Sequence, residues 1–389
     1  RPSTRWATCS GMKRALTAVA VMLAAGTAAG VAILWPGDTE TRIQGSLAVD
    51  TQGADVVEVV ETTCPGLGNQ RCQLVTAELT SGRGAGKRIQ LQLSAAQGFD
   101  PDLDPGDDIR VTKAPEAPEG QPAIAGPGYS FYDFQRGMPM LVLALAFVAI
   151  VLLFARLRGA LSLLGLGFSL ALVLLFVVPA ILDGKSPLAV AIVGSLAVAL
   201  ITIPLAHGGG PKTIAAVLGT AASLLLTALL ALIFTKAAHL TGFSSEEATF
   251  LQLAGANLSL EGLLLAGMVI AALGVLDDVT VSQASTVLAL RSANPSLRFR
   301  QLFSMAQRVG RDHVSATVNT LVLAYVGASL PILLIFSSSD LGIGEALSTE
   351  IVAKEVVATL VGSIGLIAAV PLTTALAAAL ALAEDPASA

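Results

Sequence analysis

Residues 188–234 read LAVAIVGSLAVALITIPLA HGGGPK TIAAVLGTAASLLLTALLALIF, two apolar or small runs of 19 and 22 residues joined by a turn of six. A helix rises about 1.5 Å per residue, so each run is close to the roughly 30 Å of bilayer hydrocarbon. Neither run sets an apolar face against a charged one, as a helix at a soluble surface does. They predict two membrane-spanning helices and a tight turn. The turn, His207 to Thr213, has the look of a phosphate loop, but Pro211 stands where that motif needs glycine.

Comparable runs lie outward on both sides. They occupy residues 138–155 and 161–182 upstream, 258–276 or beyond, 314–336 and 356–382 downstream, and 15–34 directly after Lys13 and Arg14. A cleaved signal peptide competes for residues 15–34, but its apolar core usually runs about 7–15 residues, so a retained anchor is expected. The last run is over-long and contains Pro371, which predicts a kink or tilt. The expected fold is a mainly α, polytopic helix bundle of about eight spans.

Composition agrees with this reading. Hydrophobic residues make up 54% of the chain and charged residues 13%, with a mean hydropathy of +0.74. Soluble domains carry about a quarter charged residues. No basic run marks a nucleic-acid footprint, so the partner expected is a lipid bilayer.

Residues 38–113 break the pattern. Short alternating runs at 42–50, 56–62, 73–79, 87–93 and 108–113 are separated by Cys64-Pro65-Gly66, Ser81-Gly82-Arg83-Gly84 and Asp104-Pro105-Gly106-Asp107. Spacing of this kind predicts a small all-β, OB-like domain. The expected organisation is a cytoplasmic N-terminus and anchor over 1–37, the β domain over 38–113, a Pro- and Gly-rich linker over 114–137 and a seven-helix membrane domain over 138–389.

Charge sets the orientation. With the N-terminus inside, twelve basic residues fall at cytoplasmic ends and four (Arg136, Lys185, Lys236, Lys354) at outer ones. That bias is what the positive-inside rule requires of two cytoplasmic termini, and it puts the β domain outside. In an oxidising space Cys64 and Cys72 are expected to form a disulfide. Zinc-site spacings are absent, and the chain has three histidines.

Polar residues within the apolar helices are the candidates for chemistry. Leu276-Asp277-Asp278 extends the 258–276 run, and Asp278, Ser282 and Ser285 share one helical face, flanked by Thr280 and Gln283. Ionisable groups in a span cost several kcal/mol and usually face a cavity or partner helix; the plainer reading ends the span at Leu276 and leaves the aspartates at the headgroups. Residues 296–311 form a basic amphipathic stretch, expected as a cytoplasmic interfacial helix. The next span opens with Arg311-Asp312-His313 and carries Asn319, and Thr373 falls at a similar depth. Two aspartates adjacent on one helix point about 100° apart, which excludes the shared proton of an aspartyl protease. No nucleophile–base pair stands out, so no enzyme is expected.

Three phrases resemble the YibE/F-like family of multispanning membrane proteins: Leu276-Asp277-Asp278-Val279-Thr280-Val281-Ser282; Gly310-Arg311-Asp312 running to Asn319-Thr320-Leu321; and Val361-Gly362-Ser363-Ile364-Gly365 leading to Val370-Pro371-Leu372-Thr373-Thr374. The recurring Asp-Val-x-x-Ser core of that family maps onto Asp278, Val279 and Ser282. The resemblance implies a bacterial plasma membrane. The expected function is secondary transport through a polar pathway of Asp277, Asp278, Ser282, Gln283, Ser285, Arg311, Asp312, Asn319 and Thr373. Oxygen ligands suit Na⁺ or H⁺ coupling better than a soft metal, and no other cofactor is expected. The alternative is a scaffold or sensor whose outer β domain binds a partner; a homo-oligomer is compatible with both.

Overall fold

The computed structural model describes residues 3–37, 50–63, 71–82, 84–94, 101–113, 128–244, 246–253, 258–339 and 342–383. They form two compact units, one of residues 45–154 and one of residues 1–44 with 155–389.

The first unit holds an antiparallel sheet of β1 (Thr51–Thr63), β2 (Arg71–Leu79), β3 (Arg88–Ser94), β4 (Asp108–Lys113) and β5 (Tyr129–Phe134) in the order β3-β2-β1-β4-β5. Strand β2 buries Val75, Ala77 and Leu79 in alternation, the period of two expected of a strand with one face in a core. Bulges between Val56 and Glu58 and between Arg110 and Val111 bend the sheet, and β3 comes up beside β5. Val75, Leu91 and Val111 fill the resulting curl with no exposure. Strand β5 lies inside the stretch expected as a linker. Its apolar positions, Phe131 and Phe134, pack on the same core, which a reading of Pro and Gly content overlooked. The expected strand at 42–50 lies outside the described residues, apart from Asp50. Cys64 lies outside them too, and with it the expected disulfide.

The helical elements are α1 (Ser3–Leu34), α2 (Gly137–Leu172), a π-helical turn (Val173–Val177), α3 (Val178–Leu182), α4 (Pro187–His207), α5 (Pro211–Ala237), α6 (Glu246–Leu253), α7 (Leu260–Ala293), α8 (Phe299–Ala328), α9 (Leu330–Ser338), α10 (Ile343–Ser348) and α11 (Glu350–Ala383). Among the described residues six helical stretches are long and apolar enough to cross a membrane, or seven if α8 and α9, bent by 63°, make one crossing. The stretch Gly137–Leu182 is counted once there, although Arg156 within it is non-helical at φ 51° and ψ −127°. The amphipathic segment over 296–311 is not a separate helix; from Phe299 it is the first part of α8. Helix α11 runs on through Pro371.

The centre of the second unit is α5, α7 and α11 packed on one another. Lipid tails are as apolar as leucine, so membrane helices associate through close backbone approach and buried hydrogen bonds. Helix α5 presents Ser223, Thr227, Ala231 and Thr235, all buried and spaced by four, below Gly219. A Cβ at Gly219 would strike the Thr373 hydroxyl of α11, and one at Gly365 would strike that of Thr227. The helices touch where glycine leaves room. At the wider parts of the packing, Thr220 and Thr280 join α5 to α7 through hydroxyls 2.6 Å apart. Gln283 of α7 donates to the Ala306 carbonyl of α8 at 2.9 Å and to Thr374 of α11 at 2.7 Å. Glu350 accepts from the Thr241 and Gly242 amides and the Thr241 hydroxyl, pinning the start of α11.

This packing has a direct test. Gly365→Ala should destabilise the purified protein by about 1–3 kcal/mol, the usual cost of overpacking, in a detergent unfolding titration. Adding Thr227→Ala removes the group that the new methyl strikes and should restore most of the loss. An innocuous Gly365→Ala would mean that α5 and α11 are further apart than described.

Candidate functional site

Helix α7 decides which polar groups meet. Its start is capped by the Ser259 hydroxyl, which accepts from the Gly262 amide at 3.0 Å. From there Leu276, Val279, Thr280, Gln283 and Val287 turn into the bundle. Consecutive residues are about 100° apart around the axis, so with Leu276 and Val279 inward the two aspartates diverge. Asp277 is partly buried toward α4, whereas Asp278 is exposed and makes no hydrogen bond or ion pair among the described residues.

Asp277 lines a cleft of about 420 Å³ formed by the second half of α2, the π turn, α4 and α7. Its polar lining comprises Ser162, Ser169, Ser195, Thr202, His207 and Asp277. Ser169 donates to the Gly165 carbonyl and Thr202 to the Val198 carbonyl, both at 2.9 Å. These hydroxyls spend their protons within their own helices and keep acceptor lone pairs. Two atoms are left over: Oδ1 of Asp277 and Oγ of Ser195 are buried with no hydrogen-bond partner. Ser195 is only 3% exposed. An unpartnered buried carboxylate oxygen is among the most costly groups a protein can hold in a low-dielectric region, and a donor or a cation in the cleft would relieve that cost.

The walls explain how the cleft keeps its shape. Val173 and Val177 of the π turn line it, and such turns collect at functional sites because they re-aim side chains within a helix. Gly194 of α4 sits under Val177, whose Cγ2 would be 2.7 Å from an added Cβ. Phe176 of the same turn is fully buried and stacks on Trp35 at 5.7 Å, which anchors the turn from behind.

The sequence-predicted residues separate into four groups. Asp277 is in the cleft. Gln283 is a buried structural bridge, and Thr373 is buried against Gly219 with its hydroxyl unpartnered. Ser282 and Ser285 are partly buried and bond back to the Val279 and Val281 carbonyls. Arg311, Asp312 and Asn319 are exposed on α8. Among the described residues Asp278 makes no hydrogen bond or ion pair with Asp312, Asn319 or Thr373. Helix α8 applies Leu302, Ala306 and Gly310 to its neighbours, which turns its polar face outward. Ser162, Ser169, Ser195, Thr202 and His207 were missed as a set. The i, i+7 spacing of Ser162 and Ser169 with Gly165 between them, and of Ser195 and Thr202 on α4, was the available signal. Among the described residues no three His, Cys, Asp or Glu side chains are grouped to hold a metal ion.

No curated protein and no solved structure matches the chain. The sequence profile of YibE/F-like protein matches residues 143–382, which takes in α2 from its first turns, the cleft, and α11 almost to its end. That is more than half of the chain, and the protein belongs to the YibE/F-like family.

Proposed function

We propose that the chain is a secondary-transport-like protein of the bacterial plasma membrane, and that the cation it moves or couples to engages Asp277 rather than Asp278. The observation that carries this is the unpartnered Oδ1 of Asp277 in a cleft that also holds the unpartnered hydroxyl of Ser195. Intramembrane carboxylates that face a cavity mark ion and substrate pathways.

A topology of eight crossings belongs to the same proposal. The 46 residues of Gly137–Leu182 would be roughly 69 Å long as one helix, twice the bilayer core. Divided at Arg156 they make two passes, and the bent α8–α9 pair makes one more. An even count with the basic bias described above supports both termini in the cytoplasm and the sheet outside. In the sheet β1 pairs with both β2 and β4 while β3 neighbours β5, an order that suits the OB-like reading. Thr62 stands opposite Cys72 in the β1–β2 register, which brings the end of β1 near Cys72 and favours the Cys64–Cys72 bridge. Peptide mapping without reductant should recover the two cysteines in one cross-linked fragment, and separate fragments would remove the bridge.

The exposed Asp278, Asp312 and Asn319 favour a second reading, a membrane scaffold or sensor whose polar helix faces meet a partner. One experiment separates the two. If Asp277 binds a cation, adding Na⁺, or protons by lowering the pH, should stabilise the purified protein by about 2.7 kcal/mol at a hundredfold excess over Kd and so raise its unfolding temperature. Asp277→Asn should abolish the rise and Asp278→Asn should keep it. Stability indifferent to both ions, with the wild type and Asp277→Asn alike, would leave the scaffold.

A further inference from the structure

We infer that the Asp277 cleft takes an amphipathic organic cation, a protonated amine carried on an apolar body. This inference rests on the transport reading and names its substrate class. The donor set fixes the charged end. A single carboxylate matches one positive charge, and with no cluster of three acidic, His or Cys side chains among the described residues a divalent or transition ion lacks the ligands it needs. An ammonium group offers up to three N–H donors, and the buried Asp277 Oδ1 is an acceptor without a partner.

Size and lining fix the rest of the molecule. The cleft holds about 420 Å³, within the roughly 300–1,000 Å³ usual for small-molecule sites and far above the ~30 Å³ share of one water. A bare ion at Asp277 would leave most of that space unfilled against Leu166, Leu172, Val173, Val177, Ile270 and Leu273. Gly194 and His207 both line it, thirteen residues apart on α4, so it extends about 20 Å along that helix. Elongated apolar walls with one anionic point describe a ligand of the opposite design. Among the described residues no lysine or arginine lines the cleft, and Asp277 repels an anion. Access fits as well. Leu166 is 54% exposed and Gly274 is exposed at the rim, on helices whose outward sides meet lipid, so a molecule dissolved in the bilayer can reach the cleft from the side.

The test uses the full chain in lipid nanodiscs, with phenethylammonium as probe, 2-phenylethanol as its neutral counterpart and NaCl as the small-cation arm, read by calorimetry. We expect saturable binding of phenethylammonium, at least tenfold weaker binding of the alcohol, and at least a tenfold loss on Asp277→Asn but not on the exposed control Asp278→Asn. The comparison of the three ligands needs no variant and holds even where Asp277→Asn fails to fold. Equal binding of amine and alcohol would overturn the inference, since partition into lipid explains it. Sodium or proton binding that depends on Asp277 with no amine binding would overturn the substrate class and leave the transport reading standing. No response of Asp277 to amine, sodium or protons would remove both.

Discussion

Two glycines facing two hydroxyls set the geometry on which the rest of the helical unit depends. Gly219 against Thr373 and Gly365 against Thr227 let α5 and α11 approach until a single methyl group would not fit. Within a bilayer this closeness replaces the hydrophobic effect as the source of cohesion, since dispersion and buried hydrogen bonds act best between backbones at short range. Helix α7 then lies against both partners. The Thr220–Thr280 pair and the Gln283 bridge fix its rotation, because turning α7 by one residue would leave the buried Gln283 amide and the Thr280 hydroxyl without partners.

That rotation chooses between the two aspartates. A change of about 100° would exchange their environments, yet one lines a cleft and the other is exposed. Asp277 is therefore placed by groups within the next two turns of the same helix. The opposite wall is placed by different means. Gly194 admits Val177, and Phe176 is held between the bundle and Trp35, so the π turn is clamped from two sides. The result is an apolar cavity with two unpartnered acceptors, which a folding requirement alone would not preserve.

Much of the architecture was legible in the sequence. Runs of about twenty apolar residues admit few structures in lipid, because every backbone group must be satisfied within its own segment. The alternation in β2 and the turns around it identified the sheet for the same kind of reason, a period that only one element has. What stayed hidden was rotational phase. Asp278, Ser282 and Ser285 do share a face of α7, but periodicity does not say which face the neighbours cover when almost every residue is apolar. In α8 the polar positions Asp312, Ser315 and Asn319 also share a face, and that face is outward because Leu302, Ala306 and Gly310 make the packing surface. In lipid the usual inference from polarity to exposure loses its sign. Ser195 and Thr202 escaped notice because isolated hydroxyls in a span usually bond back to their own helix, as Thr202 does; Ser195 stands out because it has no such bond and also lines the cleft.

The central claim is that the carboxylate set for chemistry is Asp277, shielded from bulk water by apolar walls, and that Asp278 is not. Dicyclohexylcarbodiimide, an apolar reagent, modifies carboxyl groups sheltered from water in preference to exposed ones, and the adduct can be located by peptide mass mapping. In membranes containing the wild-type chain we expect the adduct on Asp277 with Asp278 unmodified, and no adduct in this segment after Asp277→Asn. Modification of Asp278 in preference to Asp277, or of neither, would contradict the claim.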